Sequence, residues 1–466
     1  MTIKKFAKTL FGQRIATPSP VLIVEAREDI PTPEPAPEPG VAEMKPTPKP
    51  KLPKTARLPA GQAPPDTLTA KPLKDALALA ASVFAARTSL PILACVRIGE
   101  GKIEATDLEQ RLTITLPGLD FAPVCIPLKM LQRLVHGLKG DVRMRSDGSV
   151  LLVNESFRIA GLDPAEWPNG GEQPGVWPGH FMLPSKSHWE AVMAAMSLDE
   201  SRPQLCGVCL DIENRRFVAS DGHRLHAVEA QVNALKPLHK GFTRPKTVII
   251  PAIAAKTLDK MLPDQVEGTL GYFVHETQKK DGTPGKPTVV SWILRFTTLT
   301  ATLAVRLPET SDFPDYPQII PEPGKTTAVT FPRLPLQEAA KACRALYTTS
   351  RNGSEATSGM TLEPGKDGIK AWAEQPDVGR VERVIPAQGW PMAAPSVGFN
   401  SRYLLEALHC LQEDSVTLQI IDQNSPVSIY EGPIMMVIMP MRIFPGKVEE
   451  TAVLKSDEKD LSSINE

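Results

Sequence analysis

The sequence predicts an α+β protein built from three similar units. Three observations carry that expectation. A chain of 466 residues has room for about three domains of ~150 residues each. Hydrophobic residues at 42% can supply several cores. Helical and strand-type periodicities also follow one another in the same order three times: a helix, strands, a second helix, more strands.

Residues 1–65 precede that plan. Thr32-Pro33-Glu34-Pro35-Ala36-Pro37-Glu38-Pro39 and Lys45-Pro46-Thr47-Pro48-Lys49-Pro50 cannot bury apolar surface, so a disordered, Pro-rich arm is expected. The first unit, 66–178, reads as a helix at 72–86, strands at 92–98 and 102–116, a second helix at 127–138 and a hairpin over 142–160 turned at Asp147-Gly148. The second, 179–321, has helices at 185–198 and 251–262, with strands including 207–212, 216–219, 226–230 and 292–307. The third, 322–447, has helices at 334–347 and 401–411 and strands at 360–362, 369–374, 416–421 and 435–439. Residues 448–466 form a polar tail expected to be disordered. Three such units in one chain point to duplication.

Formal net charge is -1, with 52 Lys and Arg, so attraction to nucleic acid would have to come from local segregation of the cations. Six cysteines, Cys95, Cys125, Cys206, Cys209, Cys343 and Cys410, are too few for a disulfide-held scaffold and imply a reducing cytoplasm. Cys206 and Cys209 form a C-x-x-C, but on an expected strand residues three apart point to opposite faces, so no metal is expected there, and no cofactor elsewhere. Residues 1–13 mix Lys4, Lys5 and Lys8 with Ile3, Phe6, Leu10 and Phe11 and lack the apolar run of a secretory signal. The longest apolar run, 434–439, is far short of the ~20 residues of a membrane span.

In the helix near 128–138, Leu128, Leu131, Leu134, Val135 and Leu138 share one face, while Lys129, Gln132, Arg133 and His136 lie opposite with no carboxylate among them. Lys256 and Lys260 sit at i,i+4 in the second unit, and Lys341, Arg344 and Arg402 lie on the helices of the third. Cations recurring at equivalent places would sum into one basic surface, suited to phosphate backbones and not to base edges. Asp259, Glu338 and Glu406 on the same helices keep open the plainer reading of solvated helix faces.

Five segments, in order, resemble the bacterial sliding clamp family, the beta subunits of DNA polymerase III. They are Thr88-Ser89-Leu90-Pro91-Ile92-Leu93 with Ala105-Thr106-Asp107-Leu108-Glu109, then Ser220-Asp221-Gly222-His223-Arg224-Leu225, Phe313-Pro314-Asp315-Tyr316, Gly398-Phe399-Asn400 with Tyr403-Leu404, and Val437-Ile438-Met439-Pro440-Met441-Arg442. The resemblance covers about residues 66–443. It implies three clamp-type domains and a head-to-tail ring of two copies, helices inside and sheets outside, that encircles duplex DNA without regard to sequence. A ring of this kind has no catalytic residues and acts as a processivity factor in the cytoplasm. Its implied partners are the polymerase III alpha subunit, the clamp loader and other replication and repair proteins.

By position, the partner-peptide groove would contain Leu205, Ser220, Gly222, His223, Arg224, Leu225, Pro314, Gln318, Ile319, Asn400, Tyr403, Val437, Met439, Pro440, Met441 and Arg442. Leu225 and Met439 are expected to face an open pocket, and His223 and Arg224 to supply polar contacts at its edge. The implied DNA-facing set is Lys74, Arg87, Lys129, Arg133, Lys186, Arg202, Lys256, Lys260, Lys341, Arg344 and Arg402. Departures from the family pattern are Gln318 where many members carry Arg, Pro203-Gln204 in place of an aromatic pair, the N-terminal arm, an insertion at 275–290 and about 20 residues after Arg442.

Two other classes remain in view. A hydrolase would have to use Ser187, His188 and Asp199, yet Ser187 and His188 are adjacent on an expected helix, and there is no G-x-S-x-G, H-E-x-x-H or glycine-rich phosphate loop. A clamp-like module that binds partners without encircling DNA would differ from a clamp in remaining a monomer.

Overall fold

The computed structural model describes residues 67–84, 88–168, 176–233, 245–278, 284–307, 312–322, 324–347, 358–375, 378–391 and 394–442, all within one compact unit, Ala63–Glu466. The expected arm at 1–65, the tail at 448–466 and Arg87 lie outside them.

Among the described residues there are six α-helices: α1 (Ala70–Ala80), α2 (Leu128–His136), α3 (Lys186–Met193), α4 (Ala252–Met261), α5 (Arg333–Ala345) and α6 (Ser401–Cys410). Each begins directly after a strand or, for α3, after three intervening residues, and is followed by three more strands, so the chain repeats a β-α-β-β-β motif six times, with one extra two-residue strand, Gln231–Val232, after the third. Motifs associate in consecutive pairs that exchange first strands. In the first pair Thr67–Thr69, which precedes α1, joins the sheet formed by the strands after α2, and Val124–Pro127, which precedes α2, joins those after α1. The other two pairs repeat this arrangement, giving sheet orders with the same form. The sequence pattern of helix, strands, helix, strands is one such pair.

The pairs are joined by antiparallel contact between the last strands of motifs. Gln110–Thr115 of motif one pairs with Ala301–Arg306 of motif four, Leu112 opposite Leu303, which makes a nine-stranded sheet. Arg224–Glu229 of motif three pairs with Ile434–Ile438 of motif six, Leu225 opposite Val437, which makes an eight-stranded one. The helices follow the same connections: α1 packs on α2, α3 on α4 and α5 on α6, while α1 meets α4 and α3 meets α6. They therefore form one continuous row in the order α2-α1-α4-α3-α6-α5. A single apolar core runs beneath it, with Leu73, Leu131, Trp189, Leu258, Leu336 and Leu404 among its buried members.

Some expected elements differ. The single strand read at 102–116 is two, Lys102–Thr106 and Gln110–Thr115. Asp107 Oδ1 accepts from the backbone N–H of Glu109 (3.0 Å) and Gln110 (2.7 Å), and the chain turns through Leu108 at φ 81°. The strand read at 292–307 is likewise the hairpin Pro284–Thr297 and Ala301–Arg306, with the Thr298 hydroxyl accepting from Ala301 N. The helix read at 185–198 ends at Met193, and that read at 72–86 ends at Ala80. The insertion at 275–290 lengthens a hairpin whose backbone pairing continues out to Gln278 opposite Pro284.

Candidate functional site

The residues expected to form the groove are gathered where motif three meets motif six. Ser220 is a buried turn residue whose hydroxyl donates to Arg224 O (2.7 Å) and accepts from Gly222 N (3.1 Å). Asp221 completes the turn, its carboxylate accepting from His223 N (2.9 Å) and Arg224 N (3.1 Å). Gly222 takes φ +91°, a conformation a side chain would strain, and a Cβ there would fall 2.8 Å from Arg202 Nη1. The strand Ile434–Ile438 then carries Met439 to this turn, where its N–H donates to His223 O (2.9 Å), and Met441 N donates to Gly398 O (2.8 Å). Thus the segments around 222, 398 and 440 share one backbone network.

Beneath them lies a separate apolar cluster containing Leu205, Leu225, Val437, Phe313 and Tyr316. Tyr316 also donates its hydroxyl to Asp211 Oδ2 (2.9 Å); burial, then the neighbouring carboxylate, pushes the phenol pKa well up. These two aromatic anchors hold the loop 313–320 in place and leave Pro314, Gln318 and Ile319 exposed, Gln318 donating to Asp315.

Several expected groove contacts are instead parts of the frame. Leu225, 1% exposed, and Val437 are core residues and do not face an open pocket. Arg224, 6% exposed, does not present its guanidinium at the rim: the group bonds Asp221, Glu406 and the Ala194 carbonyl. Asn400 caps α6, its Oδ1 accepting from Arg402 N (3.0 Å) and from the Ser358 hydroxyl (3.3 Å). Leu205 and Ser220 are buried too. Of the expected groove residues, Gly222, His223, Pro314, Gln318, Ile319, Tyr403, Met439, Pro440, Met441 and Arg442 remain accessible. His223 stacks on Tyr403, ring centroids 6.3 Å apart at 18°, so one aromatic pair spans the junction.

Beside Met441 and Arg442 is a cavity of about 370 Å³, lined also by Thr361, Ser396, Gly398, Gln423 and Asn424. Apart from Gly398, the sequence reading missed these residues. The turn that presents Gln423 and Asn424 is legible, because Asp422 accepts from Asn424 N (2.8 Å) and Ser425 N (2.7 Å), bonds that hold its carboxyl below the usual range. Its nearness to Arg442 is not.

On the helix row, Lys129, Arg133, Lys256, Lys260 and Lys341 are exposed and make no ion pair among the described residues. Lys129 Nζ lies 5.4 Å from the centroid of Phe84. Three other expected DNA-facing cations are engaged within the fold. Lys186 is paired with Asp259 (3.0 Å) and Glu190 (3.4 Å), Arg202 with Asp199 (3.0 Å), and Lys74 donates to Leu138 O (2.8 Å). Arg402 lies 3.9 Å from Glu406, and Arg344 is in the last turn of α5.

The expected C-x-x-C strand begins only at Gly207; Cys206 donates its Sγ to Asp199 O (3.1 Å), and Cys209 is buried. No group of three or more His, Cys, Asp or Glu suited to a metal occurs among the described residues, and no described helix is long and apolar enough to cross a membrane.

Solved structures that match this architecture include sliding clamps. The Pseudomonas aeruginosa clamp bound to griselimycin matches with a TM-score of 0.64 at 24% identity, over 81% of this chain and 99% of its own. The Thermotoga maritima beta subunit matches with a TM-score of 0.61 at 22% identity over the same shares. The class is therefore the DNA-clamp fold, α+β with six helices in paired motifs. In sequence, residues 319–442 match the family profile of the DNA polymerase III beta subunit, C-terminal domain. The beta sliding clamp of Pseudomonas aeruginosa is 26% identical over 399 residues, 81% of this chain and 99% of the relative, and that of Vibrio cholerae is 24% identical over 396 residues, 77% and 94%. Along most of its length the chain is thus similar to bacterial beta sliding clamps, and its residues 319–442 match that family's C-terminal domain.

Proposed function

We propose that this chain works as a DNA sliding clamp in which two copies close head to tail into a ring around duplex DNA. The three motif pairs would be its domains, close to the expected 66–178, 179–321 and 322–447, except that the strand Val176–Met182, which opens motif three, places the first boundary before Val176. One observation carries the reading: among the described residues, four of the six motifs join their last strands in two seams within the chain, and two do not. The strand Phe157–Ala160 of motif two and the strand Gly379–Ile385 of motif five are left as sheet edges, and α2 and α5 are left as the ends of the helix row. An unpaired edge exposes backbone donors and acceptors and invites another strand. Motif two of one copy against motif five of another repeats the seam already made twice. A two-fold pair of such contacts closes without remainder.

Closure would bring the exposed lysines and arginine of the row to an inner surface, where nonspecific phosphate contact permits sliding. No chemistry is required: a ring acts by keeping a tethered enzyme at high effective concentration near the primer end, as a non-catalytic, cytoplasmic accessory subunit. The groove would receive the polymerase III alpha subunit, the clamp loader and other replication and repair proteins. Clamps from Pseudomonas aeruginosa and Bartonella birtlesii have been solved bound to griselimycin. The open wall of Ile319, Met439 and Met441 supports the same ligand here, since methionines adapt to irregular apolar surfaces. Sedimentation equilibrium at micromolar concentration tests the ring: the mass of two copies is expected, and a monomer throughout would favour the partner-binding module without encirclement.

A further inference from the structure

An arginine removed from water must have its donors met by fixed acceptors. Arg224 meets that demand with three groups from three places. Nε donates to Asp221 Oδ2 (3.1 Å) in its own turn, Nη2 to the Ala194 carbonyl (2.6 Å) at the end of α3, and Nη1 to Glu406 on α6. Its guanidinium carbon also lies 4.6 Å from the centroid of Tyr403, again on α6. Tyr403 is the ring that His223, the neighbour of Arg224, stacks on. The buried guanidinium thus ties the turn, α3 and α6 together and lies against Tyr403, one ring of the pair that stacks across the junction.

We propose that Arg224 is a positioning residue for the groove: without touching a bound partner, it fixes α6 against the turn at Asp221 so that Tyr403 and His223 stand stacked before a ligand arrives. The proposal rests on the groove reading above. A planar fork can satisfy three acceptors in different directions, whereas an ammonium on a flexible stem cannot hold the same three at those separations. A wall assembled in advance costs less ordering on binding, so losing the fork should appear as reduced affinity even where the chain remains folded.

Calorimetric titration of the full-length protein with griselimycin tests this. Arg224→Lys and Glu406→Gln should each weaken binding by about tenfold or more at a temperature where circular dichroism shows them folded. In a Tyr403→Ala background, Arg224→Lys should then change affinity by less than about twofold, because the residue it acts through is gone. If Arg224→Lys lowers the melting temperature but binds like wild type, or if its loss adds in full to that of Tyr403→Ala, the residue is structural only and the proposal falls. Should Arg224→Lys not fold, Glu406→Gln reads the same contact from the other side. Met439→Ala separates the two ideas: if wild type does not bind griselimycin, or Met439→Ala binds it equally well, the groove reading itself is wrong and the positioning role goes with it.

Discussion

Leu225 lies on one strand of a seam and Met439 directly follows the other, yet truncating them should have different consequences. Leu225 is packed among Leu205, Val437 and Phe313, so Leu225→Ala should lower the unfolding free energy by about 2–5 kcal/mol in a denaturant titration. Met439 is only partly covered, so Met439→Ala should leave stability within about 1 kcal/mol of wild type and show its effect in weaker griselimycin binding. Equal destabilisation by the two would contradict this division into frame and lining. The same division explains what residue types alone could not reveal. Ser220 and Asn400 suggest ligand contacts when read as letters, but short polar side chains in turns and at helix starts satisfy nearby backbone groups first, and both do so here. Arg224 is misleading for a related reason: its partners Ala194 and Glu406 are 30 and 182 residues away in sequence.

At the scale of elements, periodicity located all six helices because each has an apolar face that must be buried: on α2, Leu128, Leu131 and Val135 are buried while Lys129, Arg133 and His136 are exposed. Strand limits were less legible. Nothing in residues 107–109 or 298–300 includes a Gly or Pro, so both hairpins read as one long strand until their Asp107 and Thr298 bonds are seen. The charge pattern was legible only in part, since whether a helix lysine meets water or a carboxylate depends on the neighbouring helix: Lys186 on α3 finds Asp259 on α4, whereas Lys256 and Lys260 on that same helix find no carboxylate among the described residues. The four cations Lys129, Arg133, Lys256 and Lys260 therefore carry the expectation for DNA. Changing all four to Glu should weaken duplex binding at low salt and flatten the dependence of log affinity on log salt, by up to about 0.9 for each phosphate no longer neutralised, equally for any sequence. An unchanged slope would mean that this face of the row does not meet the duplex.

For the molecule as a whole, strand pairing across long sequence separations decides the assembly, and no local pattern announces it. Residues 110–115 pair with 301–306, and 224–228 with 434–438, yet nothing in those segments distinguishes them from 157–160 and 379–385, which find no partner strand on that side among the described residues. What marks the latter two is the apolar surface they leave in water: Phe157 is 44% exposed and Val384 57%. On a sheet edge such residues either invite association or have a partner copy to cover them. In the proposed ring each faces the edge strand of the second copy, and a carboxylate there would have to be desolvated beside apolar neighbours. Phe157→Asp and Val384→Asp, separately and together, should therefore shift the protein toward monomer in sedimentation. Because both residues lie away from the seam that builds the groove, griselimycin affinity should remain that of the wild type. A double variant that keeps the mass of two copies would show that the chains associate through some other surface. A double variant that loses griselimycin binding along with its dimer would show that the groove needs the second copy, which the frame of Leu205, Leu225, Phe313 and Val437, complete within one chain, argues against.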